Sequence, residues 1–176
     1  MAEMTHLLTL FVLFLMSTVS TADEVDESCF ELFDPEEPEQ ECCETDFETD
    51  DEVEYEEDFS DCPTDFSTDE GKCDTIKCYY KHDGVWKDDD IDDEAVKTKL
   101  QSIDSKNPPA QRAAERILKH CLNGKYMKYG TDDACPAMKY FLCSYINTVV
   151  ECDSWNKTET CAKHSEYASK CKVSLG

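Results

Sequence analysis

The sequence predicts an all-α protein, a disulfide-linked helical bundle carrying a largely irregular acidic N-terminal arm. Three observations lead there. From Lys72 onward apolar residues recur at three- and four-residue steps. The 176 residues include 12 cysteines, too dense a use for a chain kept in a reducing cytosol. And the net charge of −24 is not spread evenly. From Asp23 to Gly71 there are 24 acidic residues and no Lys or Arg, against 16 acidic and 17 basic from Lys72 to Gly176, with Glu3 supplying the remaining charge.

The chain opens with LLTLFVLFLM at 7–16, ten residues and too short to span a bilayer. Ser20 and Ala22 place small residues at −3 and −1 of a cleavage site, so residues 1–22 read as a signal peptide. No later run reaches about 20 apolar residues. A secreted, extracellular protein is expected, with Asn156-Lys157-Thr158 as a glycosylation sequon at Asn156. Residues 23–71 form the arm. Phe30, Leu32, Phe33, Phe47, Val53, Tyr55, Phe59 and Phe66 are isolated in it and follow neither a helical nor a strand period. High charge with low hydrophobicity favours disorder, yet Cys29, Cys42, Cys43 and Cys62 are able to pin the arm to the rest. A short helix fits around Cys29–Phe33. So acidic a chain repels phosphate backbones and anionic lipid, which argues against nucleic acid and membrane as partners.

Residues 72–176 form the helical domain. A first helix is predicted over Lys72–His82, carrying Cys73 and Cys78, with Gly84 closing it. Asp90 or Asp92 caps a second, with Ala95, Val96, Leu100 and Ile103 on its inner side. Asn107-Pro108-Pro109 starts a third, whose stripe is Ala110, Ala113, Ala114, Ile117, Leu118 and Cys121, and Asn123-Gly124 ends it. Thr131 or Asp132 caps a long helix to about Val150, in which Ala134, Ala137, Met138, Phe141, Leu142, Tyr145, Ile146, Val149 and Val150 make the strongest amphipathic pattern in the chain. A last helix covers about Thr158–Cys171. No alternating strand pattern stands out. Cys73, Cys78, Cys121, Cys135, Cys143, Cys152, Cys161 and Cys171 lie along these helices and are expected to cross-link them, each bridge adding a few kcal/mol. Cys143 and Cys152 are nine residues apart, about 900° of helix, which puts them on opposite faces of one helix, able to reach two different neighbours. A zinc site is not expected: there is no C-x₂-C pair, and His82, His120 and His164 are scattered.

Cys73-x₄-Cys78, then Gly84-Val85-Trp86-Lys87-Asp88-Asp89-Asp90-Ile91-Asp92 leading into a helix with Ala95 and Leu100, then Cys121 and Cys143-x₈-Cys152, resemble the insect odorant-binding protein family. The adjacent pair Cys42-Cys43, the extra Cys135, and Cys161 and Cys171 after the x₈ pair resemble its Plus-C branch. The likeness extends over roughly residues 29–171 and is dense from 73 to 152. Four residues separate Cys73 from Cys78 where the family usually has three, and Asp153 stands where Plus-C members usually carry proline. The resemblance implies helices around an apolar cavity, and pairings Cys73–Cys143 and Cys121–Cys152 with Cys78 joined to an N-terminal cysteine. Sequence alone fixes no connectivity for so many cysteines.

The family resemblance also implies a carrier of small hydrophobic ligands. Met138, Phe141, Leu142, Tyr145, Ile146, Val149, Tyr79, Tyr80, Trp86, Ile117 and Leu118 are candidates to line its cavity, each of which would serve equally as plain core. No catalytic arrangement is visible, so neither an enzyme nor a cofactor is expected. Asp88, Asp90 and Asp92 imitate the start of an EF-hand, but Asp93 occupies the glycine position and Lys99 the final glutamate position, so a solvated turn and helix cap are expected instead. The arm suggests a reading of another class. Glu54-Tyr55-Glu56-Glu57-Asp58 fits tyrosine sulfation at Tyr55, and the carboxylate string of 23–71 suits a secreted, saliva-type decoy for a basic protein surface or a cationic ligand.

Overall fold

The structure, a computed structural model, describes residues 25–32, 42–44, 59–103 and 106–176. The expected signal peptide, Tyr55 and the acidic stretches 33–41 and 45–58 lie outside the described residues. Six α-helices follow one another there: α1 (Glu27–Phe30), α2 (Asp69–His82), α3 (Asp93–Gln101), α4 (Pro108–His120), α5 (Pro136–Val149) and α6 (Glu159–Leu175). A hairpin of β1 (Trp86–Lys87) and β2 (Asp90–Ile91) separates α2 from α3, and a 3-10 turn at Lys125–Lys128 follows α4. No described helix is long and apolar enough to cross a membrane.

The helix starts follow their caps. The Asp92 carboxylate accepts from the amides of Glu94 and Ala95, Asn107 accepts from Ala110 with Pro108 in the first turn, and Thr158 accepts from Cys161. α2 starts three residues ahead of Lys72, because Thr68 caps it by accepting from Gly71. It ends at Gly84 (φ +72°), where the amides of Gly84 and Val85 return to the carbonyls of Lys81 and Tyr80. α5 departs from expectation at both ends. Thr131 closes a turn with Ala134 rather than capping, and the helix begins at Pro136, whose missing N–H costs nothing in a first turn. It stops at Val149, so Cys152 lies in the following loop and not on the far face of the same helix. The hairpin is the other correction: Asp88 (φ 51°) and Asp89 (φ 62°) make a two-residue turn that needs positive φ twice, which Asp tolerates. Strands of two residues are too short to show alternation.

α5 is the centre of the bundle. It packs against α4, α2, the 3-10 turn and β2. Its Ile146 and Cys143 are fully buried, with Tyr129 and Cys121 beside them, and the α4 stripe Ala110, Ala113, Ala114 and Ile117 lies in the same core. Small residues on α4 bring that helix close to α5. Asn147 is fully buried here as well, donating to the Cys143 carbonyl (2.9 Å) and to the Tyr129 hydroxyl (3.2 Å). The core also takes Val25, Cys29 and Leu32, from a stretch acidic enough to read as an arm. Their helix, α1, packs against α6.

Every cysteine is bridged. The pairs are Cys29–Cys171, Cys42–Cys161, Cys43–Cys152, Cys62–Cys78, Cys73–Cys135 and Cys121–Cys143. Cys78 joins an N-terminal cysteine, as the resemblance implied. The other two implied pairs are not formed. Cys143 faces Cys121 across the tight α4–α5 contact, and this leaves Cys73 to Cys135 at the start of α5 and Cys152 to Cys43. Cys29–Cys171, Cys42–Cys161 and Cys43–Cys152 are nested, the N-terminal segment running against the C-terminal one. Backbone pairing accompanies them: the Glu44 amide donates to the Ser154 carbonyl and the Asn156 amide to the Cys42 carbonyl, both at 2.8 Å.

One buried carboxylate joins three parts of the chain. Glu151, 3% exposed in the α5–α6 loop, accepts from Arg112 Nε of α4 (2.9 Å) and Lys172 Nζ of α6 (2.8 Å), with Arg116 Nε at 3.6 Å. Arg112 also reaches Asp153 (2.7 Å). Removing the carboxylate leaves Arg116, whose side chain is 12% exposed, without its counter-charge, so Glu151→Ala is expected to cost about 3 kcal/mol, read by chemical denaturation. His120 gives a second test. It is buried at the last turn of α4, where the helix dipole favours an imidazolium. Burial opposes this, and Arg116, Lys119, Lys128 and Lys125 add repulsion, so its pKa falls from 6.5 to about 4. The unfolded chain therefore takes up the proton first. Its contribution to stability is complete above pH 6.5 and is lost as the pH falls towards 4. Denaturation between pH 7 and 4 is expected to show this loss, and the His120→Gln variant to lack that component.

Candidate functional site

Among the described residues, an aromatic surface lies where the segment before α2 folds back on that helix. Phe59, Tyr79, Tyr80 and Asp83 line an open, apolar cleft of about 210 Å³. Tyr79 and Tyr80 come from the last turns of α2, and Asp83 is its C-cap. Phe59, 20 residues before Tyr79, is brought to them by the Cys62–Cys78 bridge, together with the turn in which the Cys62 amide donates to the Phe59 carbonyl (3.0 Å). The Phe59 ring stands edge-on to Tyr79 (5.0 Å between centroids) and to His82 (5.6 Å). Phe59 is 37% exposed, so its ring is an outer wall and not core.

Behind this wall aromatic rings continue into the bundle. Tyr80 meets Tyr140 of α5 at 5.4 Å, and Tyr140 meets Tyr126 of the 3-10 turn at 5.8 Å, both edge-on. The Tyr126 hydroxyl donates to the Asp90 carboxylate of β2. Burial pushes the phenol pKa values of Tyr80, Tyr140 and Tyr126 well above the ordinary 10, so these rings stay neutral. The Asp83 carboxylate at the rim is paired with Lys99 of α3. The cleft thus offers aromatic faces and a neutralised rim, with no nucleophile paired to a base. Aromatic faces of this kind suit contact with an apolar group.

The expected lining residues divide into three sets. Tyr79 and Tyr80 line the cleft. Met138, Phe141, Tyr145, Val149, Trp86 and Leu118 are half-buried against the core, with Phe141 and Tyr145 stacked at 6.1 Å and the Tyr145 hydroxyl donating to the Leu32 carbonyl (3.3 Å). Leu142, Ile146 and Ile117 are core residues. Sequence reasoning did not find Phe59 or Asp83 for the cleft. Phe59 looked like one more isolated apolar residue, and its only pointer was the nearby Cys62. Asn156 is exposed in the loop before α6, two residues from the Thr158 cap. No family model, curated protein or solved structure matches the chain.

Proposed function

We propose that the protein is a secreted carrier that takes a small hydrophobic ligand at the aromatic cleft of Phe59, Tyr79 and Tyr80. The observation that carries this reading is the cleft itself: three aromatic side chains around about 210 Å³, one of them held there covalently through Cys62–Cys78. Six bridges and neutral tyrosines make a preformed site, which lowers the ordering cost of binding. The sequence resemblance to Plus-C odorant-binding proteins supports the same reading, and so does the signal-like segment at 1–22. A glycan on Asn156 would project into solvent away from α6's buried face. The bound molecule is transported unchanged, without catalysis.

The charge distribution favours one other reading, capture of a basic protein by the acidic arm. Removing residues 23–61 would not separate the two, because it removes Phe59 of the cleft, α1 and the partners of Cys171, Cys161 and Cys152. Neutralising the acids of 45–58 to Asn and Gln keeps every bridge. Titration with an apolar fluorescent probe is expected to saturate at one site, to change little between low and high salt, and to survive that neutralisation. Phe59→Ala is expected to weaken it about tenfold, or ~1.4 kcal/mol. No saturable probe binding by the intact chain would remove the carrier reading. Binding of a basic protein that collapses with salt and with neutralised 45–58 would favour capture instead.

A further inference from the structure

Asp61, Cys62, Cys78 and His82 form a cluster on one side of the cleft, and their potential donor atoms all lie within 4.8 Å of one another. We propose that these four residues constitute a latent zinc site, closed by the disulfide in this structure and opened when Cys62–Cys78 is reduced. This inference stands apart from the carrier reading and does not depend on it.

The donor set is the first support. Two thiolates, an imidazole and a carboxylate make a four-ligand set of the kind zinc prefers. The geometry is the second. Cys78 and His82 are four residues apart on α2, so they stand one above the other on the same face. His82 Nε2 is 2.9 Å from Asp61 Oδ1, near the separation of about 3.3 Å between neighbouring donors in a tetrahedron of ~2.0 Å bonds. The two sulfurs must part to about 3.8 Å, the edge set by Zn–S bonds of ~2.3 Å. Cys62 sits on the short turn 59–62, outside α2, so the parting need not be taken up by the helix. The surroundings are the third support. Phe59 packs edge-on to the His82 ring and restricts its orientation. Cys62 is buried and Cys78 half-buried, while Asp61 and His82 face solvent, so the apolar side is closed and an entry path is open. The pattern escapes a search for C-x₂-C because its ligands come as the dipeptide Asp61-Cys62 and as Cys78-x₃-His82.

A reductant supplies two electrons, and two protons come with them, to the Cys62–Cys78 bond; a dithiol is itself oxidised to a disulfide, and the phosphine of the test, taking up water, to its oxide. Zinc then displaces the two thiol protons into solvent and binds both thiolates. Re-forming the bridge then requires an oxidant and release of the metal, so zinc would favour the reduced state.

The test uses the full chain, treated anaerobically with a phosphine reductant, with and without one equivalent of zinc, and alkylated for site-resolved mass spectrometry. Zinc is expected to slow alkylation of Cys62 and Cys78 together by about tenfold or more while far-UV circular dichroism keeps its helical signal. Cobalt(II) in place of zinc is expected to give thiolate charge-transfer and tetrahedral ligand-field absorption. His82→Gln and Asp61→Ala, which leave the bridge intact, are each expected to weaken zinc about tenfold or more. The proposal is overturned by protection of other cysteines with Cys62 and Cys78 unaffected, by zinc affinity in both variants equal to that of the unsubstituted chain, or by a bridge that opens only when helicity is lost.

Discussion

The whole architecture rests on covalent attachment of a strongly acidic segment to a nearly neutral helical domain. All four cysteines of that segment bond outward: Cys29 and Cys42 to α6, Cys43 to the loop before it, and Cys62 to α2. None is spent within the segment. Without these bonds, mutual repulsion of the carboxylates would favour an expanded chain. With them, Val25, Cys29 and Leu32 are fixed in the core, and α6 acquires α1 as its packing neighbour. The acidic segment is thus a structural partner of the last helix as well as a carrier of charge.

Polar chemistry secures the same junction from inside. Glu151 sits where α4, the α5–α6 loop and α6 meet, and its two oxygens face three cations. A buried ion cluster of this kind contributes little net stability compared with apolar packing, but it penalises every arrangement that leaves one member alone. Four residues before Glu151, Asn147 of α5 tethers Tyr129 beside the Cys121–Cys143 bridge. α5 is therefore constrained in register by a covalent bond and by directional hydrogen bonds, and the aromatic series that ends at the cleft is built on that fixed helix.

Local chemistry was legible in the sequence and remote chemistry was not. Asp92, Asn107 and Thr158 announce helix starts because a cap is a contact over two or three residues. Thr131 and Asp132 carried the same signal, yet Pro136 overrode it, since a proline is best placed in the first turn and Cys135 just before it is tied to Cys73. The disulfide partners of Cys73, Cys121, Cys143 and Cys152 depend on which helices touch, and no spacing rule contains that. The cleft was half legible. Tyr79 and Tyr80 stand out on α2, whereas Phe59 belongs to the site only through a bridge whose pairing the sequence does not reveal.

The nested bridges have a consequence for the chain as an object. The Cys29–Cys171 bond closes a ring over a sequence separation of 142 residues, and the Cys42–Cys161 and Cys43–Cys152 bonds close smaller rings inside it. A single proteolytic cut anywhere between Cys29 and Cys171 opens a ring without releasing a piece. A nicked molecule would migrate as one species until reduced, and would keep its fragments at the effective concentration of neighbours in one body. Among proteases, such a protein is able to outlast the integrity of its own backbone.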